Sequence, residues 1–165
     1  MAFGNTILSE LHNRKPVDIL DRLTIRRLSN NEIPSLYPIN QQIFKEKRLI
    51  NSLDHQILIA LTADLNGKPV GFKIGYRANR VAFYSAKGGI LPEFRKCGIA
   101  RALLYRMQLE AAQEQFNQFY YDTFPNRYPG MYHLGLREQF KIDFICWNSR
   151  YQDYQIRLSK AITPR

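Results

Sequence analysis

An apolar run that ends at a proline and breaks into a basic, glycine-bearing turn constrains this chain more than any other feature it holds. The segment reads Gly89-Ile90-Leu91-Pro92-Glu93-Phe94-Arg95-Lys96-Cys97-Gly98-Ile99-Ala100-Arg101-Ala102-Leu103-Leu104. Val81 to Leu91 has the character of a strand, and apolar residues recur with helical period from Gly98 onward. A helix start leaves several backbone N–H groups unpaired at the positive end of the macrodipole, so a strand–turn–helix of this kind suits a bound phosphate. Gly98 has no Cβ to hold that phosphate away from the main chain. Arg95, Lys96 and Arg101 bring positive charge to the same place. Neither Gly-x-x-x-x-Gly-Lys-Ser/Thr nor Gly-x-Gly-x-x-Gly occurs, so the triphosphatase and dinucleotide readings lack their motifs. The turn points to the pyrophosphate of a nucleotide-containing cofactor.

The same residues resemble motif A of the GNAT superfamily of N-acetyltransferases, Val-x-Pro-x-x-Arg/Gln-x-x-Gly-x-Gly/Ala. Ile90, Pro92, Arg95, Gly98 and Ala100 supply it in order and spacing. The order of elements around the motif agrees with that resemblance. Leu23 to Leu28 alternates as a first strand, and a helix broken by Pro34 and Pro38 follows to about Lys47. Gln56–Thr62 and Pro69–Tyr76 are strands joined by the hairpin turn Asn66-Gly67. Val81–Leu91 is the fourth strand, and the helix Gly98–Gln115 carries Ile99, Leu103 and Met107 on one face. Phe119–Thr123 is a fifth strand, Met131–Gln139 a short helix, and Phe140–Trp147 and Tyr154–Ile162 are two final strands. The resemblance implies an α/β (α+β) fold with a mixed, centrally splayed sheet of about seven strands flanked by helices. It covers residues 23–165. Residues 1–22 form an N-terminal extension, either a helix from Thr6 or a loose tail.

What the resemblance implies chemically is transfer of an acetyl or other acyl group from acetyl-CoA, or another acyl-CoA, to a primary amine by direct attack in a ternary complex. Its cofactor residues map onto Ile90, Leu91, Arg95, Lys96, Cys97, Gly98, Ile99, Ala100 and Arg101. A weaker downstream match through Asn126, Met131, Leu136 and Phe140 adds Asn126, although Gln139 stands where the family has glycine. The pantetheine arm would lie between the fourth and fifth strands. A main-chain N–H near Ile90 would polarise the thioester, and Gly88-Gly89 would permit a bulge there. The amine must arrive neutral, which at pH 7 costs about 4–5 kcal/mol for a lysine-like group. Where some members place a glutamate base this chain has Tyr84, a poor base that would shape the acceptor pocket or relay through water. Asp122, Glu46, Asp54 and His133 are further candidates. The tyrosine that usually protonates the leaving thiolate falls on Gly135. Tyr132 or Tyr128 would have to reach in from upstream.

Composition bounds the rest. With 165 residues, 45% hydrophobic and 13% aromatic, the chain can build a real core. No stretch approaches the roughly 20 apolar residues of a membrane span, and no secretory pattern opens the chain, so a cytoplasmic protein without membrane partners is expected. Cys97 and Cys146 give neither a disulfide framework nor metal spacing, and His12, His55 and His133 stand apart, so no metal is expected. The net charge of +10 implies attraction to polyanions. Basic residues are spread rather than clustered, which argues against nucleic acid as the principal ligand. Partners are then a coenzyme A thioester and a small-molecule or peptide amine, with a homodimer left open. A catalytically inactive acyl-CoA-binding protein on the same fold is the alternative, followed by a basic nucleic-acid-binding domain.

Overall fold

Seven strands form one sheet in the order β1-β2-β3-β4-β5-β7-β6. The strands are β1 (Leu23–Arg27), β2 (Leu58–Leu65), β3 (Lys68–Arg77), β4 (Ala82–Ile90), β5 (Gln118–Thr123), β6 (Lys141–Asn148) and β7 (Asp153–Ala161). The helices are α1 (Tyr37–Phe44), α2 (Ile99–Gln113) and α3 (Pro129–Arg137), and 3-10 segments at Asn30–Leu36 and Pro92–Phe94 precede α1 and α2. The structure is a computed structural model that describes residues 19–165. The helix or tail expected over most of residues 1–22 lies outside the described residues. Ile19, at their start, is buried against the larger core.

Local chemistry accounts for the elements. Asn66 and Gly67 both adopt positive φ (52° and 76°), the geometry of the tight turn that joins β2 to β3. Ser29 and Glu32 form a capping box in which Glu32 Oε2 accepts from the Ser29 N–H at 2.8 Å and the Ser29 hydroxyl at 2.9 Å. Pro34 keeps the segment behind it in 3-10 form, and Pro38 sits in the first turn of α1 where its missing N–H is harmless. The helix expected through Lys47 therefore arrives as two short pieces, and α1 ends at Phe44 because Lys45 turns left-handed (φ 58°).

Two cores lie on opposite faces. One gathers Phe83, Leu103, Met107, Phe119, Tyr121 and Leu158 beneath α2 and α3. The other gathers Leu36, Ile39, Phe72 and Ile74 beneath α1. Fully burying one such side chain stabilises the fold by about 1.5–3 kcal/mol.

The feature that positions the site is the join between β4 and β5. These strands run parallel and pair only at Ala82↔Gln118, Phe83↔Phe119 and Tyr84↔Tyr120. Past that point β4 continues to Ile90 against β3 alone, and β5 continues to Thr123 against β7 alone. A gap opens between them toward their C-terminal ends. The bulge in β4 falls at Ala86, where the register against β3 slips between Ile74 and Gly75, and not at Gly88-Gly89 as expected. Those two glycines serve close approach instead. A Cβ on Gly89 would meet Ile43 and the Phe44 ring at 2.9–3.0 Å, and one on Gly88 would meet Phe72 O at 2.9 Å and Lys73 Cγ at 3.1 Å.

Candidate active site

The turn at the open end of the gap is a cradle of backbone donors. Lys96 (φ 61°) and Gly98 (φ 82°) are both left-handed, and Gly98 caps α2. Arg95 N–H closes the preceding 3-10 turn on Pro92 O, and Ala102 N–H is the first to find a helical acceptor, Gly98 O. The six N–H groups between them, Lys96 to Arg101, have no backbone acceptor among the described residues. Alternating left-handed residues turn successive amides to one side, which makes an anion-binding concavity at the positive end of α2. Ile99 is buried and anchors the helix start, while Cys97 and Ala100 pack at its edge. The Cys97 thiol bonds Arg95 O at 3.4 Å.

The basic side chains are partly committed. Arg95 Nε donates to Ile90 O at 3.2 Å, which pins the guanidinium over the end of β4. Arg101 Nε meets Glu138 Oε1 at 2.5 Å while remaining largely exposed. Lys96 is exposed. Arg27, Lys87, Arg106 and Arg157 are likewise paired with carboxylates. The large positive charge is therefore not one free basic surface.

Along the gap, Leu91 N–H donates to Val70 O of β3 at 2.9 Å. Strand alternation then aims the Ile90 N–H the other way, into the gap. Two buried hydroxyls border that gap without partners among the described residues, those of Ser85 on β4 and Thr123 on β5. The side chain of Lys73, 5% exposed, crosses β4 from β3 to the same place and has no carboxylate partner there among the described residues. Buried polar groups are normally satisfied, so this set marks a place for a polar ligand. An amide-bearing, phosphate-tipped arm such as that of coenzyme A fits it. The turn would hold the pyrophosphate, and the Ser85 and Thr123 hydroxyls would meet the arm.

At the closed end the side chains of five elements meet. Tyr84 packs against Tyr76 and Tyr120, at ring separations of 5.5 and 5.0 Å. His55 stacks flat on Tyr76 at 3.5 Å, and its Nε2 is buried without a partner. Burial, reinforced by Asp122, pushes the Tyr84 hydroxyl well above its ordinary pKa, so it stays protonated. Asp122 is held rather than free. Arg157 grips both its oxygens at 2.8 and 2.9 Å, and Gln155 adds a third bond at 2.9 Å. Arg157 in turn lies 4.4 Å over the Tyr120 ring. Glu46 pairs with Lys87 at 3.0 Å, and Asp54 and His133 are exposed.

Asn126 donates to Asp153 Oδ1 at 2.7 Å, and the N–H groups of Asn126 and Arg127 bond Asp153 Oδ2. The Asn126 amide nitrogen is thus tied to a buried aspartate. Tyr132 packs on the core beside His133 with its ring 5.6 Å away, while Tyr128 is exposed and edges onto Phe44. Gly135 is tightly packed. A Cβ there would collide with the Tyr121 hydroxyl and come within 2.6 Å of Leu158. Tyr121 reaches up from β5 to donate to Met131 O at 2.9 Å, so its ring fills the space beneath α3.

The structure thus brings Ile90, Leu91 and the 95–101 turn together at one end and Tyr84 and Asp122 at the other. Tyr76, Tyr120 and His55 join the latter without having been singled out, and Lys73 meets Tyr121 on the opposite face of the sheet.

Comparison with known proteins agrees with this geometry. Residues 47–128 match the family model described as an acetyltransferase (GNAT) domain. No curated protein matches the chain by sequence. Among solved structures, a GNAT family acetyltransferase from Elizabethkingia anophelis with acetyl-CoA bound is similar with TM-score 0.74 at 19% identity, over 86% of this chain and 99% of that one. The ribosomal-protein-S18-alanine N-acetyltransferase from Escherichia coli gives 0.72 at 17%, over 86% and 94%. An aminoglycoside 6'-N-acetyltransferase complexed with coenzyme A gives 0.68 at 16%, over 86% and 98%. At these identities the likeness is one of fold.

Proposed function

We propose that this chain, whose residues 47–128 match an acetyltransferase (GNAT) domain, moves an acetyl or other acyl group from acyl-CoA to a primary amine by direct attack in a ternary complex. The observation that carries the reading is the run of unpaired amides from Lys96 to Arg101, set at the mouth of an interstrand gap lined by orphaned polar groups. In this reading the turn takes the pyrophosphate, and the Ile90 N–H polarises the thioester carbonyl, an oxyanion-type contact that is stronger in the transition state than before it. The acceptor approaches over Tyr76, Tyr84 and Tyr120, which exclude water from the closed end.

The acceptor's proton leaves by another route than Tyr84 or Asp122. Tyr84 is too weak a base, and Asp122 would have to give up Arg157. We assign Asp122 to holding Arg157 and the tyrosine cluster in place. We assign Tyr84 to shaping the pocket and relaying through water. Tyr132 shapes the wall beneath α3, and Asn126 secures the loop before it. The clamping of Asp122 by Arg157 also favours a second reading, a binder of acyl-CoA without turnover. The cytoplasm is the proposed location, and among the described residues no helix is long and apolar enough to cross a membrane.

Calorimetric titration with acetyl-CoA tests the first step. Binding to the wild type and its loss in Gly98→Glu support the cofactor assignment, and absence of binding overturns it. A panel of small amines and amino-terminal peptides, scored by coenzyme A release, then separates enzyme from binder.

A further inference from the structure

Lys73 is the buried charge that the proposed mechanism does not use. It lies on β3 directly opposite Gly88 of β4 and is only 5% exposed. Its neighbours along the strand, Phe72 and Ile74, turn into the core beneath α1, so Lys73 faces α2 and α3. The missing Cβ at Gly88 lets the aliphatic stem cross β4, with Cγ at 3.1 Å from where that atom would sit. The ammonium then comes to rest 5.8 Å over the ring of Tyr121 on β5. It has therefore been carried from β3 across β4 to the border of the β4–β5 gap. Among the described residues no carboxylate or carbonyl accepts from it. The unpartnered hydroxyls of Ser85 and Thr123 border the same gap.

Resting on the acyl-CoA reading above, we propose that Lys73 is the acid that protonates the departing coenzyme A sulfur. The position at which a tyrosine on α3 could do so is Gly135, and Tyr121 closes that space with its hydroxyl committed to Met131 O. As the amine nitrogen bonds to the thioester carbonyl carbon, the carbon–sulfur bond breaks and sulfur leaves with the electron pair. Lys73 gives that sulfur a proton and becomes a neutral amine. The attacking nitrogen sheds its own proton to water, and Lys73 regains one from solvent, so charge and atoms balance. Burial pushes the Lys73 ammonium down to about 8, close to where a thiol titrates. Tyr121, itself pushed up by burial, is the titratable group set against it. On the helices of that face, Glu110 is held by Arg27 and Arg106, Glu138 by Arg101, Tyr132 packs on the core, and His133 is exposed. None of these is paired with Lys73.

The test needs no acceptor. Coenzyme A itself is bound to the wild type, Lys73→Met and Lys73→Arg, and its thiolate is titrated by ultraviolet absorbance. An ammonium beside the sulfur should raise the thiolate-to-thiol ratio at neutral pH by about tenfold over Lys73→Met, one unit of thiol pKa. Lys73→Arg should keep that ion pair yet slow the release of coenzyme A by acetyl-CoA hydrolysis by at least about tenfold, with water as the acetyl acceptor, since a guanidinium does not give up its proton. Equal thiol titration in wild type and Lys73→Met overturns the role of Lys73 while leaving cofactor binding intact. Failure of coenzyme A to bind the wild type overturns the acyl-CoA reading itself. Thermal melting of each variant establishes that it is folded. Mass spectrometry after incubation with acetyl-CoA adds a further check, because stoichiometric acetylation of Lys73 would show it to be a trapped nucleophile and overturn the acid role.

Discussion

In the proposed acyl-CoA reading, recognition at the open end of the β4–β5 gap is built from main chain. Six amides, two left-handed residues and a helix start would do the work, and the side chains nearby are largely tied elsewhere. At the closed end it is built from side chains. Tyr84, Tyr120, Asp122 and Arg157 come from three strands and hold one another in place, while Lys73 reaches Tyr121 on the opposite face of the sheet. The difference has a consequence for tolerance. A backbone cradle survives most side-chain changes and fails at the few positions where conformation is strict. A side-chain cluster spreads its sensitivity over many residues, each with a moderate effect.

Gly98→Glu should show the largest effect, because it strikes such a strict position. A non-glycine residue at φ 82° carries about 1–2 kcal/mol of strain, and the added carboxylate would face the pyrophosphate in the proposed binding mode. Acetyl-CoA affinity should fall by at least about 100-fold, roughly 2.7 kcal/mol, by calorimetry. Lys96→Ala, in the same turn, should cost far less. If the two are equal, side-chain charge rather than backbone geometry makes the site, and the contrast between the ends collapses.

Lys73→Met comes next and should act in the opposite direction, on stability. The ammonium is held down to about 8 in the fold against 10.5 when free, so the folded chain binds fewer protons than the unfolded chain between those values. The penalty is fully present below pH 8 and fades as pH rises through 10.5. Removing the charge should therefore raise stability at pH 7 by up to about 3 kcal/mol, with the gain vanishing across that window. Denaturant melts of wild type and variant at several pH values measure it. A pH-independent difference would mean that packing, not the buried charge, is responsible.

Gly135→Ala probes the closed end where it is most crowded. The new methyl meets the Tyr121 hydroxyl and Leu158, so the fold should lose about 1–3 kcal/mol. Tyr121→Phe in the same chain removes one of those contacts together with its bond to Met131 O. A double-mutant cycle should show the pair less destabilising than the sum. Strict additivity would place the strain at Leu158 alone.

These residues also show what could be read before the fold was known. The turn was legible because one continuous segment, Ile90 to Arg101, holds everything it uses. The hairpin was legible because Asn66-Gly67 is a local conformational signal. Lys73 was not. Val70, Phe72 and Ile74 alternate with Gly71, Lys73 and Gly75, a pattern that reads as one buried and one solvated face. In the fold both faces of β3 are covered, and α2 and α3 lie over the face that looked polar. The pairing of Asp122 with Arg157 joins β5 to β7 through register that no local pattern encodes, so a free carboxylate could not be told from a clamped one. Gly135 was noticed as a departure from the family pattern. Its cause, the Tyr121 ring beneath it, lies on another strand.

Arg101→Ala should have the smallest effect and bears most finely on the contrast. Arg101 is exposed and held by Glu138, and exposed ion pairs are worth about 0–1 kcal/mol. If the amides of the turn supply most of the anion binding, removing this guanidinium should weaken acetyl-CoA by no more than about fivefold. Glu138→Gln should then do the reverse. It frees Arg101 and removes a nearby negative charge, which should strengthen binding by a comparable or smaller factor. Both effects should shrink as salt is raised from low to physiological ionic strength, because screening acts on exposed charges. An Arg101→Ala loss as large as that of Gly98→Glu would mean that Arg101 leaves Glu138 to grip the phosphates, and the open end would then depend on side chains as much as the closed one does.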